Sequence, residues 1–247
     1  MEPIVRFSRP DPRRLSAETR SVRTLDRATR VAMWALYRGT YDRADEARFL
    51  ADLDQKDDVI IVRDALGALQ GFTTLCCYRH GGVRVVFSGD TVIAAPFQGQ
   101  TALQRAFVGY VMRVVVRARE PVYWFLISKG YKTYLLLSRN FLEYWPRHDR
   151  PTPAAAQALL ASLARERFGA AYRPEQGIVR FEPPGPRLEP GVAPLDPREA
   201  DRPDIRFFEV HNPGWVNGDE LCCIGRVDLA MGLNYVRRLV LRRVRRR

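Results

Sequence analysis

Lysine is almost absent from this sequence of 247 residues: of 40 basic side chains, only Lys56, Lys129 and Lys132 are lysines. So general a preference for arginine reads as base composition rather than function. The net charge of +12 still favours anionic partners, whether nucleic acid, anionic lipid, phosphorylated cofactors or an acidic carrier protein. Cysteine is scarce as well. The four cysteines form two adjacent pairs, Cys76-Cys77 and Cys222-Cys223, with no CxxC spacing, and His80, His148 and His211 are scattered. That pattern argues against a zinc site, so no metal is expected. Neighbours in a strand point to opposite faces, so each pair is expected to offer one core thiol and one outward thiol. Long apolar runs are missing too. A stretch such as Val122 to Ile127 falls well short of the roughly 20 residues a membrane span needs. Residues 1–14 are rich in proline and arginine and lack an apolar segment, which excludes a secretory signal there and leads to the expectation of a cytoplasmic protein. No internal repeat is visible.

What is present is a regular alternation of elements. Residues 1–20 read as a flexible arm, 21–150 as the core of the fold and 151–247 as an extension that completes the sheet and ends in a basic helix. Apolar residues at helical spacing predict helices over 24–37 and 43–53. Strands are expected at 59–63, 70–78 and 83–94, with a turn at Gly67 and a hairpin at His80-Gly81-Gly82. A loop over 96–101 leads to a helix over 101–118. The nearly all-apolar 122–128 reads as a buried central strand. A helix begins at 131, and 141–145 reads as a short strand. An Ala/Leu-rich helix covers 153–168, and the proline-rich 172–203 reads as extended loop. A strand is expected over 205–210 and a basic amphipathic helix from 229 onward. The class is α+β, with a mixed central sheet flanked by helices and a C-terminal extension of helix and loop.

Val92-Ile-Ala-Ala-Pro-Phe-Gln-Gly-Gln-Thr-Ala-Leu103 joins the 83–94 strand to the following helix. In this order of elements, the stretch resembles the thioester-binding loop of the GCN5-related N-acetyltransferase family over residues 24–145. Phe97-Gln98-Gly99 is similar to the start of the family's aromatic-Arg-Gly pattern. Thr101 and Leu103 stand where the family has a glycine and a small residue, so the cradle is less open than usual. The physics of such a loop is general: the first amides of a helix lack intrahelical partners and bind phosphate oxygens, aided by the helix dipole.

The resemblance implies an acyltransferase that moves an acyl group from acyl-CoA, or from phosphopantetheine on an acyl carrier protein, to the amine of a small metabolite. The carrier-using N-acyl amino acid synthases are similar in carrying a larger C-terminal addition. Gln98, Gly99, Gln100, Thr101 and Ala102 are then the cofactor cradle, with the backbone of Val92 and Ile93 pairing with pantetheine amides as an added strand would. Lys129 and Lys132 are candidates for the carrier's phosphate or a substrate carboxylate. Asp90, a carboxylate inside an apolar strand, is the candidate base. Its alternative is a strand-end aspartate bonded to Thr91 or a backbone amide. Ser88 is a neighbouring substrate ligand. Tyr134 and Tyr131 are candidate acids for the leaving thiolate.

Trp215, in the turn-dense 211–220 loop, is a candidate to close over substrate or simply to staple the loop. Leu229, Leu233, Val236, Val240 and Val244 line one stripe of the final helix, and seven arginines supply its charge. With the stripe packed inward, the helix from Leu229 to Arg247 could rest on an anionic membrane or dock on an acidic carrier protein. Without a helix-turn-helix or stacking motif, nucleic acid ranks last. The competing reading is a non-catalytic binding module on the same fold.

Overall fold

The computed structural model describes residues 14–189 and 198–244. In chain order its elements are β1 (Ser16–Ser21), α1 (Arg27–Arg38), β2 (Tyr41–Asp42), α2 (Glu46–Asp54), β3 (Asp58–Arg63), β4 (Leu69–His80), β5 (Val83–Ile93), α3 (Ala102–Arg117) and β6 (Val122–Ser128). There follow α4 (Tyr131–Asn140), β7 (Tyr144–Trp145), α5 (Ala154–Phe168), β8 (Tyr172–Arg173), β9 (Ile178–Val179), β10 (Arg187–Leu188), α6 (Pro203–His211), β11 (Glu220–Val227) and α7 (Leu229–Val244). The main sheet runs β1-β3-β4-β5-β6-β11-β9-β8, with β7 also paired to β11. Every pairing in it is antiparallel except β5 with β6. This is the mixed sheet flanked by helices that the sequence predicts.

Helices cover both faces. On one, α3, α4, α6 and α7 pack against Val86, Trp124, Leu126 and Cys223. On the other, α1 and α2 enclose Val59, Ile61 and Phe72, and α5 covers Val85, Phe87, Phe125 and Cys222. Covering on both sides explains why β6 is apolar at nearly every position rather than at every second one. It also corrects the reading of the second cysteine pair: Cys222 and Cys223 are both fully buried, because each face of β11 has its own helical layer. Cys76 is buried and Cys77 half-buried.

Three further expectations need correction. Residues 16–21 are not part of a flexible arm. They form β1, pairing with β3 from Ser16↔Arg63 to Ser21↔Asp58. This edge strand is exposed along most of its length, so it carries no apolar alternation to read. Residues 1–13 of the expected arm lie outside the described residues. The strand expected over 205–210 is instead helix α6, which starts with Pro203 in its first turn and buries Ile205 and Phe208, three residues apart. The strand that completes the sheet is β11, beside β6.

The third correction concerns α7. Its buried side is Met231 and Tyr235, and Gly232 packs against the thioether of Met112 on α3. The apolar stripe points the other way: Leu229, Leu233, Val236 and Val240 are all more than half exposed. The terminal Arg245–Arg247 lie outside the described residues.

Candidate active site

The parallel pair β5 and β6 is in register from Arg84↔Val122 to Ser88↔Leu126 and then ends, although β5 continues to Ile93 and β6 to Ser128. The two strands part at Ser88. The sheet therefore opens in its middle, and a cavity borders the opening on each face.

On the α3 side a cavity of about 670 Å³ is lined by Ile93, Gln98, Gly99, Thr101, Tyr131 and Lys132, among others. On the α1, α2 and α5 side a cavity of about 750 Å³ is lined by Asp90, Lys56, Glu220, Arg48 and Arg167, among others. Ser88, Thr91, Trp124, Lys129 and Tyr41 border both, so the two cavities meet through the split.

A bulge decides which cavity receives Asp90. The pairing of β4 with β5 steps from Leu75↔Ser88 to Thr73↔Thr91, so Gly89 and Asp90 together oppose Thr74. The extra residue reverses the inward-outward alternation. Ser88 belongs to the α3 face, where its Oγ accepts a hydrogen bond from Trp124 Nε1 at 2.9 Å. Val92, four residues later and so of the same parity, packs with Phe49, Leu53 and Phe72 on the opposite face. Without the bulge Asp90 would point toward α3. Gly89 is needed there, because a Cβ would lie 2.6 Å from Thr74 Oγ1 and 3.0 Å from Lys56 Cε.

Asp90 is half-buried and has no hydrogen bond or ion pair among the described residues. The alternative of a side chain tied to Thr91 is not what the structure shows: Thr91 Oγ1 meets Thr73 Oγ1 at 2.7 Å and donates to Gly89 O. Removal from water raises the pKa of Asp90 to about 6. The like charge of Asp52 adds to the rise, while Lys129 and Lys56 oppose it.

The surrounding charges come from three distant segments. Lys129 follows β6 and Glu220 opens β11; since Leu221 pairs with Ser128, the two side chains meet, Nζ to Oε1 at 3.3 Å. Lys129 also donates to Pro186 O at 2.7 Å and lies 5.0 Å from the Tyr41 ring centre. Lys56, at the end of α2, pairs with Asp52 one helical turn back at 2.6 Å, its ammonium almost wholly buried. Burial pushes Glu220 up as well, and Lys129 draws it back. All three lysines of the chain thus line one cavity or the other, Lys132 at the exposed rim of the α3 side.

The cradle expected at the start of α3 is assembled as follows. Gly99 has φ +82°, the left-handed region that favours glycine, and its Cα faces open space. The Thr101 side chain does not cap the helix, and the first intrahelical bond there is Arg105 N–H to Thr101 O, which leaves the amides of the first turn without intrahelical partners. Gln98, Gly99, Gln100 and Thr101 line the cavity, while Ala102 is buried beneath. The backbone expectation is refined by one residue. Ala94 N–H donates to Gln70 O on β4, so by the alternation of an antiparallel ladder Val92 also pairs with β4. Thr91 and Ile93, rather than Val92, present their amides to the split.

Two candidates are not brought to the site. The Tyr134 hydroxyl donates to Pro146 O at 3.1 Å, and its ring is fully buried against Phe207 and Phe208. It sits on the core side of α4. Trp215 packs on Phe208 and borders neither cavity, so it staples the 211–220 loop. Tyr131, buried at the first turn of α4, does border the α3-side cavity. Lys56, Asp52, Glu220, Arg48 and Arg167 were not singled out from the sequence. The one signal available was the rarity of lysine, which points to Lys56 as it does to Lys129.

No family model matches the chain, and no curated protein matches it. Among solved structures it is similar to a GNAT family N-acetyltransferase from Escherichia coli in complex with CoA, at 16% identity over 53% of this chain and 71% of that one, with a TM-score of 0.39. It is likewise similar to an acyl-CoA N-acyltransferase from Pseudomonas aeruginosa, at 17% identity over 51% and 86% of the two chains, with a TM-score of 0.38. An IAA acetyltransferase from Bacillus cereus is similar at 8% identity over 87% and 100% of the two chains, with a TM-score of 0.42. Likeness of this size says nothing of substrate or mechanism.

Proposed function

We propose that this protein is an N-acyltransferase that passes an acyl group from a pantetheine thioester to an amine across the split between β5 and β6. One observation carries the reading: an unpaired carboxylate, Asp90, stands on one side of the opening where β5 and β6 part, and the other side leads to a helix N-terminus. The pantetheine arm lies along the amides of Thr91 and Ile93, and the phosphates reach Gly99 and the first turn of α3. The amine enters from the Asp90 side. Its nitrogen attacks the thioester carbonyl carbon, the C–S bond breaks, and one amine proton passes to Asp90. The carbonyl oxygen, as it gains charge, takes a hydrogen bond from a free amide of the slot. Tyr131, which borders the donor cavity, is assigned the proton for the departing thiolate.

Titration with acetyl-CoA, with a long-chain acyl-CoA and with acyl carrier protein tests the donor side. At least one should bind, and mass spectrometry should show thioester consumption only when an amine is added. Binding of none would instead favour a non-catalytic module.

A second observation concerns location. The exposed stripe Leu229, Leu233, Val236 and Val240 runs in single file along α7, and no acidic residue occurs between Leu229 and Arg247. Seven arginines in that segment would repel a second copy, whereas an anionic membrane offers both an apolar layer and the opposite charge. We therefore place α7 on the surface of such a membrane. Leu233→Asp with Val236→Asp should reduce sedimentation with phosphatidylglycerol vesicles by about tenfold or more, since each substitution replaces an inserted apolar side chain by a like-charged one. Wild-type protein that does not sediment with these vesicles would end this proposal.

A further inference from the structure

A serine inside a helix often turns its hydroxyl to the carbonyl one turn back. Ser162, the one hydroxyl side chain in α5, makes a different contact. Its Oγ lies 2.9 Å from Nε2 of His80. The other ring nitrogen of His80, Nδ1, lies 2.7 Å from Oε2 of Glu166. Hydroxyl, imidazole and carboxylate are thus joined in series. The fold brings them together in two steps. His80 ends β4 and shares the parity of Cys76 and Tyr78, which pack beneath α5, so its ring faces that helix. Ser162 and Glu166 stand four residues apart on α5, one turn, and both reach the same ring.

The proton positions follow from the partners. A carboxylate only accepts, so Nδ1 carries the ring proton. In the neutral imidazole Nε2 is then bare and accepts from the Ser162 hydroxyl. A serine bonded to a base that is itself held by a third group is the arrangement that activates a hydroxyl as a nucleophile. The hydroxyl is also reachable. Ser162 is partly exposed, whereas the His80 side chain is only 15% exposed and so is held in place. Glu166 borders the Asp90-side cavity, but His80 and Ser162 do not. The group therefore stands apart from the split and does not depend on the acyltransfer reading.

We propose that Ser162 and His80, with Glu166 as the positioning residue, form a second catalytic site that hydrolyses small carboxylic esters. Ser162 Oγ attacks the carbonyl carbon as its proton passes to His80 Nε2. The C–O bond to the alcohol breaks, and the alcohol departs with that proton. A water molecule then gives a proton to Nε2 and attacks the acyl-serine. The acyl C–Oγ bond breaks, Oγ recovers the proton, and the carboxylic acid leaves. Arg165 is assigned to the carbonyl oxygen as it gains charge. It is exposed, follows Ser162 by three residues on the same side of α5, and makes no ion pair among the described residues. Val83, the cross-strand partner of His80, and Leu159, one turn before Ser162, are partly buried and suit a short apolar acyl group.

The test uses the full chain with p-nitrophenyl butyrate as substrate and phenylmethylsulfonyl fluoride as label, the labelled residue being located by peptide mass spectrometry. The label should fall on Ser162. Ser162→Ala should lose it and hydrolyse the ester about tenfold or more slowly, a cautious figure for loss of a nucleophile. That variant should fold, because alanine is the strongest helix former. Glu166→Gln, at a side chain 61% exposed, should slow both hydrolysis and labelling, since it removes the carboxylate that holds Nδ1–H. A merely structural clamp between the hairpin and α5 would move neither readout. No label at Ser162, a loss of hydrolysis in Ser162→Ala smaller than about tenfold, or unchanged rates in Glu166→Gln overturns the proposal.

Discussion

Asp90→Asn should lower kcat by about 100- to 10,000-fold, the usual contribution of a general base, and should not lower the melting temperature. The substitution is almost isosteric, and Asp90 makes no hydrogen bond that would be lost. Linkage points the same way. Burial raises the folded-state pKa to about 6 from the ordinary 3.8, so the folded state holds this proton more tightly than the unfolded one. The contribution of Asp90 to stability is therefore present below pH 3.8 and lost as pH rises through about 6. At neutral pH the ionised carboxylate is a cost, and its removal does not unfold the protein.

The proposed catalysis has the opposite dependence, because Asp90 as its base must be ionised. kcat/KM should rise with pH through a limb near 6, and that limb should be absent from whatever activity Asp90→Asn retains. Asp52→Asn should move the limb to lower pH, since it removes a like charge and frees Lys56 from its pair. A variant with activity within about threefold of wild type, or an unmoved limb in Asp52→Asn, would remove Asp90 from the chemistry.

The parts of this arrangement that were legible in the sequence are those set by local pattern. The 83–93 strand, the loop at Phe97-Gln98-Gly99 and the buried β6 all announce themselves through apolar periodicity and glycine. Asp90 stands out because a carboxylate in an apolar strand needs a reason. The sense of its side chain was not legible, because the bulge at Gly89 depends on which residue of β4 lies opposite. Arg48, Arg167, Lys56 and Glu220 come from α2, α5, the end of α2 and β11, and only the fold brings them together. Helix α6 was misread because Ile205-Arg-Phe-Phe-Glu-Val210 suits a strand by composition, while the decisive cue was Pro203 at a helical first turn. The stripe on α7 was recognised correctly as a stripe. Its direction was not, because packing of Gly232 against Met112 turns the helix, and one small residue outweighs several large ones when two helices approach closely.

Gly99→Asp should weaken binding of acyl-CoA by at least about tenfold, because it places a negative charge at the first turn of α3, where the proposed donor's phosphates would lie. The fold should survive. A Cβ at residue 99 meets nothing within 4 Å, and aspartate is among the few residues that tolerate the left-handed backbone found there, φ +82°. Gly99→Asn supplies the comparison, having the same shape and the same tolerance but no charge. If backbone amides cradle the phosphate, Asn should cost less than Asp, and raising the salt should narrow the gap between them, since charges at an exposed loop are screened. Equal losses in the two variants would mean that bulk alone blocks the loop. Donor affinity unchanged in Gly99→Asp would mean that the phosphates bind elsewhere, with Lys132 at the rim of the same cavity the next group to test.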